Sequence, residues 1–459
     1  MTHNPYRLDW IPELSGREGD VYQALAEAIA EDIASGRLKP GTRLPPQRLL
    51  AYTLGLNPGT VNKAYRLAMQ RGLLSGEVGR GSFVRGGASS GLSWPNADPY
   101  ARAIDFSDNF PCAIKNAALF QKQLSALAAT PYFAQLLQYQ QNSALEGHQK
   151  VAASWVSRCG VAAEPRNILI TSGALHAGFI SLMTLCRAGD TVLTEEFTSQ
   201  AVKGAAQRLK LKLVGIKMDR AGILPDHLEC LLKSNKTAAV YLVPTLHNPT
   251  ATLLSLSRRK AVAKLLERHG VPLIEDDVFA PLLDDPMPPV SSFLPGAGFY
   301  IAGLSKALAP TLRLAFLSVP ERYYQDALSN LRITSWLASP LLMELASNLI
   351  ARGDADKLIK DQRAEIRRRQ ALAKDMLAGF EVTSHLNAPH LWLKLPAPWR
   401  AAQFKDALAR REVLAEATDS FVVDRGNPTH ALRLCLGTPP SFERVKEGLS
   451  IVKETLADV

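Results

Sequence analysis

The sequence lacks the marks of an exported or membrane-spanning protein. None of its 459 residues lie in an uninterrupted apolar stretch approaching the roughly 18 to 20 residues that a membrane span requires. The first residues, "MTHNPYRLDWIPEL", lack the basic start, apolar middle and small-residue cleavage site of a secretory signal. We therefore expect a soluble protein of the cytoplasm that makes no membrane contact.

Cysteine is scarce, and its spacing excludes two further classes. The five cysteines are scattered, odd in number and contain no C-x-x-C pair. A disulfide framework needs paired cysteines, and a structural zinc site needs closely spaced ones. The sequence thus indicates neither, and we expect no metal.

Positive charge is abundant and concentrated near the beginning. The formal net charge is +10, and residues 37–85 contain nine Lys or Arg against one acid, Glu77. A basic segment raises affinity for polyanions, so nucleic acid is the partner that we expect for it. A solvated basic face is the alternative.

The same segment has the pattern of a small helical module. An amphipathic helix is predicted within residues 17–34, a second helix over 45–55 and a third over 60–72. Residues 73–86 alternate apolar side chains around "GRG", which is typical of a short hairpin with Arg80 at its tip. Two helices around a tight turn, followed by a basic hairpin, predict a winged helix-turn-helix.

The third helix would supply the DNA-reading face. Its inner face is apolar, which leaves Asn62, Lys63 and Arg66 on the outer face, directed at a major groove. Thr60 and the free N–H groups at the helix start would meet a phosphate.

The stretch from "SGRLKPGTRLPPQRLL" to "GRGSFV" resembles, without gaps, the DNA-binding domain of the GntR family of bacterial regulators. The resemblance implies that Arg43 and Arg48 contact phosphates or a groove, and that Arg80 and Gly81 form the wing tip. Pro58 departs from the family pattern, in which many members carry a base-reading arginine. We assign residues 1–85 to this DNA-binding domain.

A linker separates this module from a larger domain. Residues 86–103 are rich in Gly, Ser, Pro and Asn and show no periodicity. From residue 104 to 459, short apolar strands alternate with helices, which predicts an α/β domain around a mostly parallel sheet. From about 375 to 459 the pattern changes to two strands flanked by helices, which indicates a smaller α+β lobe.

Polar residues follow the predicted strands where an α/β sheet places its ligands. In "TSGALHAG" the backbone N–H groups of Gly173, Ala174 and Leu175 would cradle a phosphate at a helix start, although small residues at such turns usually serve packing. Asn248 ends another strand as an amide donor, or as an ordinary turn residue. Asp276, in "LIEDDVF", is a carboxylate that needs a cationic partner if it is buried.

Three cations complete the set. In "GLSKALAPTLR", Lys306 offers an amine able to form a Schiff base with an aldehyde, and Arg313 offers a charge for phosphate. Arg433 interrupts an apolar strand in "HALRLCLG", which is costly unless it binds an anion such as a carboxylate. The alternatives are a surface lysine at 306 and a structural ion pair at 433.

With these motifs in this order, residues 104–455 resemble a fold-type I aminotransferase, and the whole chain resembles the MocR subfamily of GntR-type regulators. The resemblance implies pyridoxal 5′-phosphate (PLP) as cofactor, with Lys306 as the Schiff-base lysine, Asp276 paired with the pyridine nitrogen and Asn248 with the ring hydroxyl oxygen. It implies Arg433 for the carboxylate of an amino-acid effector. The remaining cofactor positions that it implies are Gly173, Ala174, Leu175, Phe279, Ser305 and Arg313.

Several positions depart from the aminotransferase pattern. Ser199 stands where a ring usually stacks on the cofactor, Phe279 replaces a tyrosine, and Gly303 replaces a hydroxyl residue at the phosphate. Leu175 and Ala251 also replace usual residues. These losses favour a homodimeric transcriptional regulator that binds double-stranded DNA and senses PLP or an amino compound. The alternatives are a working aminotransferase with a DNA-binding arm, and a domain that binds no PLP and only dimerises.

Overall fold

The computed structural model describes residues 10–14, 20–39, 41–77, 81–84, 103–113, 116–140, 145–424 and 429–458. Most of the predicted linker, residues 86–103, lies outside these ranges.

The N-terminal module is three helices and a two-stranded hairpin. Its elements are α1 (Val21–Ala34), α2 (Gln47–Leu54), α3 (Pro58–Gln70), β1 (Leu74–Glu77) and β2 (Gly81–Val84). The strands pair antiparallel, from Leu74 opposite Val84 to Glu77 opposite Gly81. The apolar stripes of the helices meet in one buried cluster around Leu25, Ile29 and Tyr65. This is the predicted winged helix-turn-helix.

The third helix, α3, begins two residues earlier than the sequence predicted. Asn57 caps α3, its side-chain oxygen accepting a hydrogen bond from the Gly59 N–H at 2.7 Å, and Pro58 takes the first helical position. The Thr60 N–H is bonded to the Asn57 carbonyl at 2.9 Å and is therefore not free for a phosphate. The predicted phosphate contact of Thr60 stays a prediction, and its hydroxyl group is the atom that would make it.

The large domain is built on a seven-stranded sheet. Three helices precede the first strand of this sheet: α4 (Ala117–Ala128), α5 (Phe133–Leu136) and α6 (Glu146–Arg158). Strands and helices then alternate along the chain as β4 (Ile168–Thr171), α7 (Ala174–Leu185), β5 (Thr191–Glu195), α8 (Gln200–Arg208) and β6 (Lys212–Ile216). A small hairpin and the second half follow as β7 (Met218–Asp219), β8 (Gly222–Ile223), α9 (Pro225–Ser234), β9 (Thr237–Leu242), α10 (Leu256–His269), β10 (Leu273–Asp276), β11 (Gly298–Gly303), β12 (Ala315–Ser318), α11 (Tyr324–Ser335) and α12 (Pro340–Ala351).

The sheet order brings the motifs to one edge. The strands lie in the order β4-β12-β11-β10-β9-β5-β6; all neighbouring pairs are parallel except those of β12, which is antiparallel to both of its neighbours. β10 and β11 end at Asp276 and Gly303, and β12 begins at Ala315 directly after Arg313. Carboxyl ends of parallel strands share one edge, so these residues meet there.

A second sheet forms the small lobe. Its elements are α13 (Asp354–Met376), β13 (Val382–Thr383), β14 (His390–Lys394), α14 (Ala401–Arg410), β15 (Val413–Leu414), β16 (Glu416–Ala417), β17 (Ala431–Cys435) and α15 (Phe442–Ala457). The first strand after the linker, β3 (Ile104–Asp105), pairs with β15, and Ile104 and Phe106 are buried in this lobe's core. The small lobe therefore also contains the first residues after the linker, which the predicted range of about 375–459 does not include.

Candidate functional site

The predicted DNA-reading face lies on α3. Lys63 and Arg66 are exposed there, while Asn62 is half-buried because its amide donates to Gln47 Oε1 at 3.0 Å. A hydrogen bond of this kind fixes the direction of the Asn62 side chain.

Arg43, in the loop before α2, and Arg48, on α2, are both exposed. The Arg43 side chain lies against the start of the wing strand, since a Cβ on Gly81 would stand 3.0 Å from Arg43 Nε. Arg80 falls outside the described residues, so its wing-tip position stays a prediction.

A cradle for an anion forms where α7 begins. Gly173 precedes the helix with φ of 92°, and a Cβ there would stand 3.1 Å from Arg313 Nη2. Ala174 and Leu175 open the helix, whose first N–H groups carry partial positive charge. Arg313 is exposed, and among the described residues no carboxylate pairs with it. The Gly173 N–H donates to the Thr171 oxygen at 2.7 Å, so the part of the predicted cradle that is open to a phosphate is Arg313 with the helix start at Ala174 and Leu175. Ser305 is half-buried at the same edge.

Asp276 ends β10 with one free oxygen. Its Oδ2 accepts a hydrogen bond from the Tyr241 hydroxyl at 2.8 Å, whereas its Oδ1 is buried without a hydrogen-bond partner among the described residues. Burial raises the pKa of Asp276 to about 6, against the lowering effects of Tyr241 and Lys306. A buried, unpaired carboxylate oxygen is suited to a ligand N–H.

Lys306 lies half-buried in the turn after β11. Its Nζ donates to the main-chain oxygen of Asn109, in the segment that follows β3. Burial lowers the pKa of Lys306 to about 8, and Arg433 adds to this effect, while Cys435, Asp276 and Asp108 oppose it. A lysine with this pKa is neutral far more often near pH 7 than a surface lysine.

Arg433 and Asn248 meet although 185 residues separate them. Arg433 Nη1 donates to Asn248 Oδ1 at 2.7 Å and Nη2 donates to the Ser107 oxygen. Its Cζ lies 4.8 Å from the centre of the Phe421 ring, and Nε is buried without a partner among the described residues. No carboxylate forms an ion pair with Arg433 in the described part of the chain, which disfavours the structural ion pair.

The departing positions have structural roles of their own. Ser199 caps α8, accepting a hydrogen bond from the Val202 N–H at 3.3 Å. Phe279 is buried, with its ring centre 5.6 Å from that of His390. A Cβ on Gly303 would stand 2.7 Å from Val278 Cγ1. Ala251 adopts φ of 58°, a region that favours glycine.

Sequence reasoning missed three residues around this site. Tyr241 holds Asp276, and its sequence signal is a lone polar-tipped residue in the apolar strand "AAVYLVP". Asn109 meets Lys306, and His390 lies 3.2 Å from the Asn109 amide. Asn109 and His390 had no sequence signal, because the Asn109–Lys306 contact spans 197 residues and the Asn109–His390 contact spans 281.

These residues fit PLP. The free oxygen of Asp276 suits a protonated pyridine nitrogen, and the corner of Gly173 and Arg313 suits a phosphate. Lys306 is the amine at the same edge.

Comparison with known proteins agrees with both halves of the molecule. The model of the family "Bacterial regulatory proteins, gntR family" matches residues 21–84, and that of "Aminotransferase class I and II" matches residues 102–449. The chain belongs to the GntR-type regulators that carry an aminotransferase domain. This domain order is that of the MocR subfamily, as the sequence motifs predicted.

Full-length relatives carry regulator names. The HTH-type transcriptional regulator YdeF of Bacillus subtilis is 32% identical over 457 residues, covering 99% of this chain and 98% of the relative. The vitamin B6 salvage pathway transcriptional repressor PtsJ of Salmonella typhimurium is 28% identical over 428 residues, covering 92% and 95%. This GntR-type protein is therefore a transcriptional regulator with an aminotransferase-like domain, as predicted.

Solved structures confirm the predicted fold of the larger domain. An archaeal alanine:glyoxylate aminotransferase superposes with a TM-score of 0.71 at 22% identity, covering 78% of this chain and 91% of that chain. An aspartate aminotransferase from Thermus thermophilus gives 0.67 at 17% identity, covering 77% and 91%. The fold is thus PLP-dependent transferase fold type I.

Two kinds of feature are absent from the described residues. They contain no helix long and apolar enough to cross a membrane. They also contain no group of three or more His, Cys, Asp or Glu arranged to hold a metal ion.

Proposed function

We propose that this regulator binds PLP through Lys306 and uses occupancy of the site to change how it binds double-stranded DNA. The observation that carries the proposal is the meeting of Lys306, Asp276 and the Gly173–Arg313 corner at one edge of the sheet. A relative named for vitamin B6 salvage supports the same ligand class.

Different residues would bind different parts of PLP. The phosphate would be held where α7 begins, by Gly173, Ala174, Leu175, Ser305 and Arg313. Asp276 Oδ1 would accept the pyridine N–H, and the Tyr241 hydroxyl, which donates to Oδ2, keeps the carboxylate oriented. Bound PLP supplies an electrophilic aldehyde carbon, and Lys306 supplies the amine that joins it.

A second part of the site is suited to an effector. Arg433 is the buried cation next to Asn248, and its unpartnered Nε remains available for a carboxylate. Asn248 supplies the amide at the ring hydroxyl. An amino acid would thus find its carboxylate site next to the amine of Lys306. The ligand changes the affinity of the protein for DNA only if it binds two states of the protein with different affinities.

DNA recognition belongs to α3. Arg66 and Lys63 would read base edges in a major groove, with Asn62 held in direction by Gln47. Arg43 and Arg48, with Thr60 and the wing residues Arg80 and Gly81, would contact the backbone. Such a protein acts where the DNA is, in the bacterial cytoplasm.

We further propose a homodimer formed by an exposed apolar patch. Tyr139 and Trp336 are 87% and 53% exposed, with ring centres 6.1 Å apart. Ile333 and Leu175 are also exposed, and the His176–Thr334 hydrogen bond of 2.7 Å ties their helices together. Exposed aromatic and aliphatic side chains of this number mark an interaction surface. A second copy placed there would lie next to the phosphate corner.

The test is a titration of the full-length protein with PLP, followed by the visible absorbance of the bound cofactor and by DNA binding in a gel shift. Wild type is expected to develop the absorbance band and to change its DNA affinity, and Lys306→Ala is expected to do neither. A wild type without the band after PLP addition contradicts the cofactor proposal and leaves a dimerisation domain.

A working aminotransferase is the second candidate, since Lys306 and Asp276 are both retained. Ser199, Phe279 and Gly303 are engaged in capping and packing, which disfavours it. Turnover above about 1 per second with any donor and keto-acid pair would favour the enzyme.

A further inference from the structure

Asn109 carries a buried acceptor at the ligand site that the proposed cofactor positions leave unused. Its Oδ1 is buried and has no hydrogen-bond partner among the described residues. Its main-chain oxygen accepts from Lys306 Nζ. Buried acceptors are nearly always satisfied in native proteins, so an unpaired one beside a ligand site points to a ligand donor.

The direction of the Asn109 amide follows from a chain of hydrogen bonds. His390 Nε2 lies 2.9 Å from the His247 main-chain oxygen, which only accepts, so Nε2 carries the proton. His390 is fully buried, which lowers its pKa to about 3 and keeps the ring neutral. Its Nδ1 is therefore an acceptor and receives the Asn109 Nδ2–H at 3.2 Å. Asn109 Oδ1 is thereby fixed as the free atom.

The surroundings of this oxygen suit a nitrogen donor. Asp108, the next residue in the chain, interacts electrostatically with both Lys306 and Arg433. The Asn109 main-chain oxygen already accepts from an amine, that of Lys306. The carbon of PLP that a lysine amine joins is the carbon whose substituent differs among the phosphorylated B6 compounds. Because Asn109 is the residue that Lys306 contacts, its side-chain oxygen would lie near the group that this carbon carries.

We propose that Asn109 is a specificity-determining residue that selects ligands with an amine next to Lys306, and that His390 is the residue that positions it. The inference rests on the proposed PLP site, called the B6 site below. It adds that the site prefers ligands with an amine, rather than an apolar group, on the carbon that Lys306 would join. When a ligand lacks the donor, Asn109 Oδ1 stays unpaired inside the protein. The ligand with the amine is therefore expected to bind with about tenfold higher affinity.

The test compares two ligands that differ in this one group. Pyridoxamine 5′-phosphate carries the amine, and 4′-deoxypyridoxine 5′-phosphate carries a hydrogen there. Dissociation constants are measured by calorimetry for full-length wild type and Asn109→Leu. Wild type is expected to bind the amine about tenfold more tightly, and Asn109→Leu is expected to lose this preference while binding the deoxy compound normally.

Three further variants separate the role in selection from a structural role. Asn330→Leu removes a half-buried amide that donates to Thr184 Oγ1 at 3.0 Å, away from the site, and should keep the preference. His390→Leu should lose the preference, whereas His390→Gln should retain it, because an amide donates to the His247 oxygen and accepts from Asn109 at once.

The outcomes are distinguishable. An equal preference in wild type and Asn109→Leu, or no preference in wild type, overturns the role of Asn109 and leaves the B6 site standing. Failure of both ligands and of PLP to bind wild type overturns the B6 site, and the role of Asn109 with it. Loss of the preference in His390→Gln as well as in His390→Leu overturns the positioning role of His390.

Discussion

The guanidinium of Arg313 lies against the backbone of Gly173, close enough that a Cβ on Gly173 would stand 3.1 Å from Nη2. Gly173 also has φ of 92° and ψ of 168°, a conformation that is essentially restricted to glycine. Backbone shape and cation position are thus coupled at the start of α7.

Gly173→Ala is expected to weaken PLP binding more than tenfold, because the methyl group strains the turn and displaces the Arg313 guanidinium. The matched control is Gly189→Ala. Gly189 has φ of 93° but nothing within 4 Å of an added Cβ. Both variants should unfold at lower temperature in a thermal melt, while only Gly173→Ala should change the PLP titration. Equal PLP affinity in the two variants would argue against the phosphate corner.

Arg313→Ala is expected to reduce PLP affinity by about ten- to hundredfold, since a charge-assisted contact to phosphate is lost. Pyridoxal, which has no phosphate, should bind wild type and variant alike. Competition titrations with the two compounds provide the comparison. A matching loss for pyridoxal would mean that Arg313 supports the fold rather than the phosphate.

The rate of covalent PLP binding is expected to follow the titration of Lys306. Burial lowers the pKa of Lys306 to about 8, and only the neutral amine attacks an aldehyde. The rate should therefore rise about fivefold between pH 7 and pH 8 and level off above about pH 9, as the amine becomes fully deprotonated. Stopped-flow absorbance measures it. A free lysine side chain serves as control, and its rate should still rise at pH 10. A similar profile for the protein would contradict the lowered pKa of Lys306.

Arg66→Ala is expected to weaken binding to the operator by about 1 to 3 kcal/mol while changing non-specific DNA binding little, because a base contact is lost. Arg71→Ala is the control: Arg71 is exposed at the C-cap of the same helix, directly after its last residue. Gel shifts with specific and random duplexes measure both. The prediction fails if Arg66→Ala weakens both duplexes equally, which would make Arg66 a backbone contact.

Local patterns predicted the winged module and the polar strand ends because both depend on residues close in sequence. The start of α3 was misplaced, since "NPG" is a turn pattern as well as a cap followed by proline at the first helical position. The Arg433–Asn248 hydrogen bond and the contact of Asn109 with Lys306 join distant segments. Such contacts depend on how the small lobe packs on the sheet, which single-sequence periodicity does not encode.

Gly303, which stands where the aminotransferase pattern has a hydroxyl residue, lies against the side chain of Val278. The Gly303 backbone lies so close to the Val278 side chain that a Cβ would stand 2.7 Å from Cγ1 and 3.6 Å from the Ala174 Cβ. Gly303→Ser alone is therefore expected to destabilise the protein by about 1 to 3 kcal/mol through overpacking, and not to improve PLP binding. Val278→Ala removes the 2.7 Å contact and leaves the Val278 Cβ at 3.2 Å, so the added serine would be less strained and its hydroxyl could reach the phosphate. The double variant should then bind PLP more tightly than Val278→Ala alone. A double-mutant cycle of unfolding free energies and PLP affinities measures the coupling, and additive effects would show that the two positions are independent.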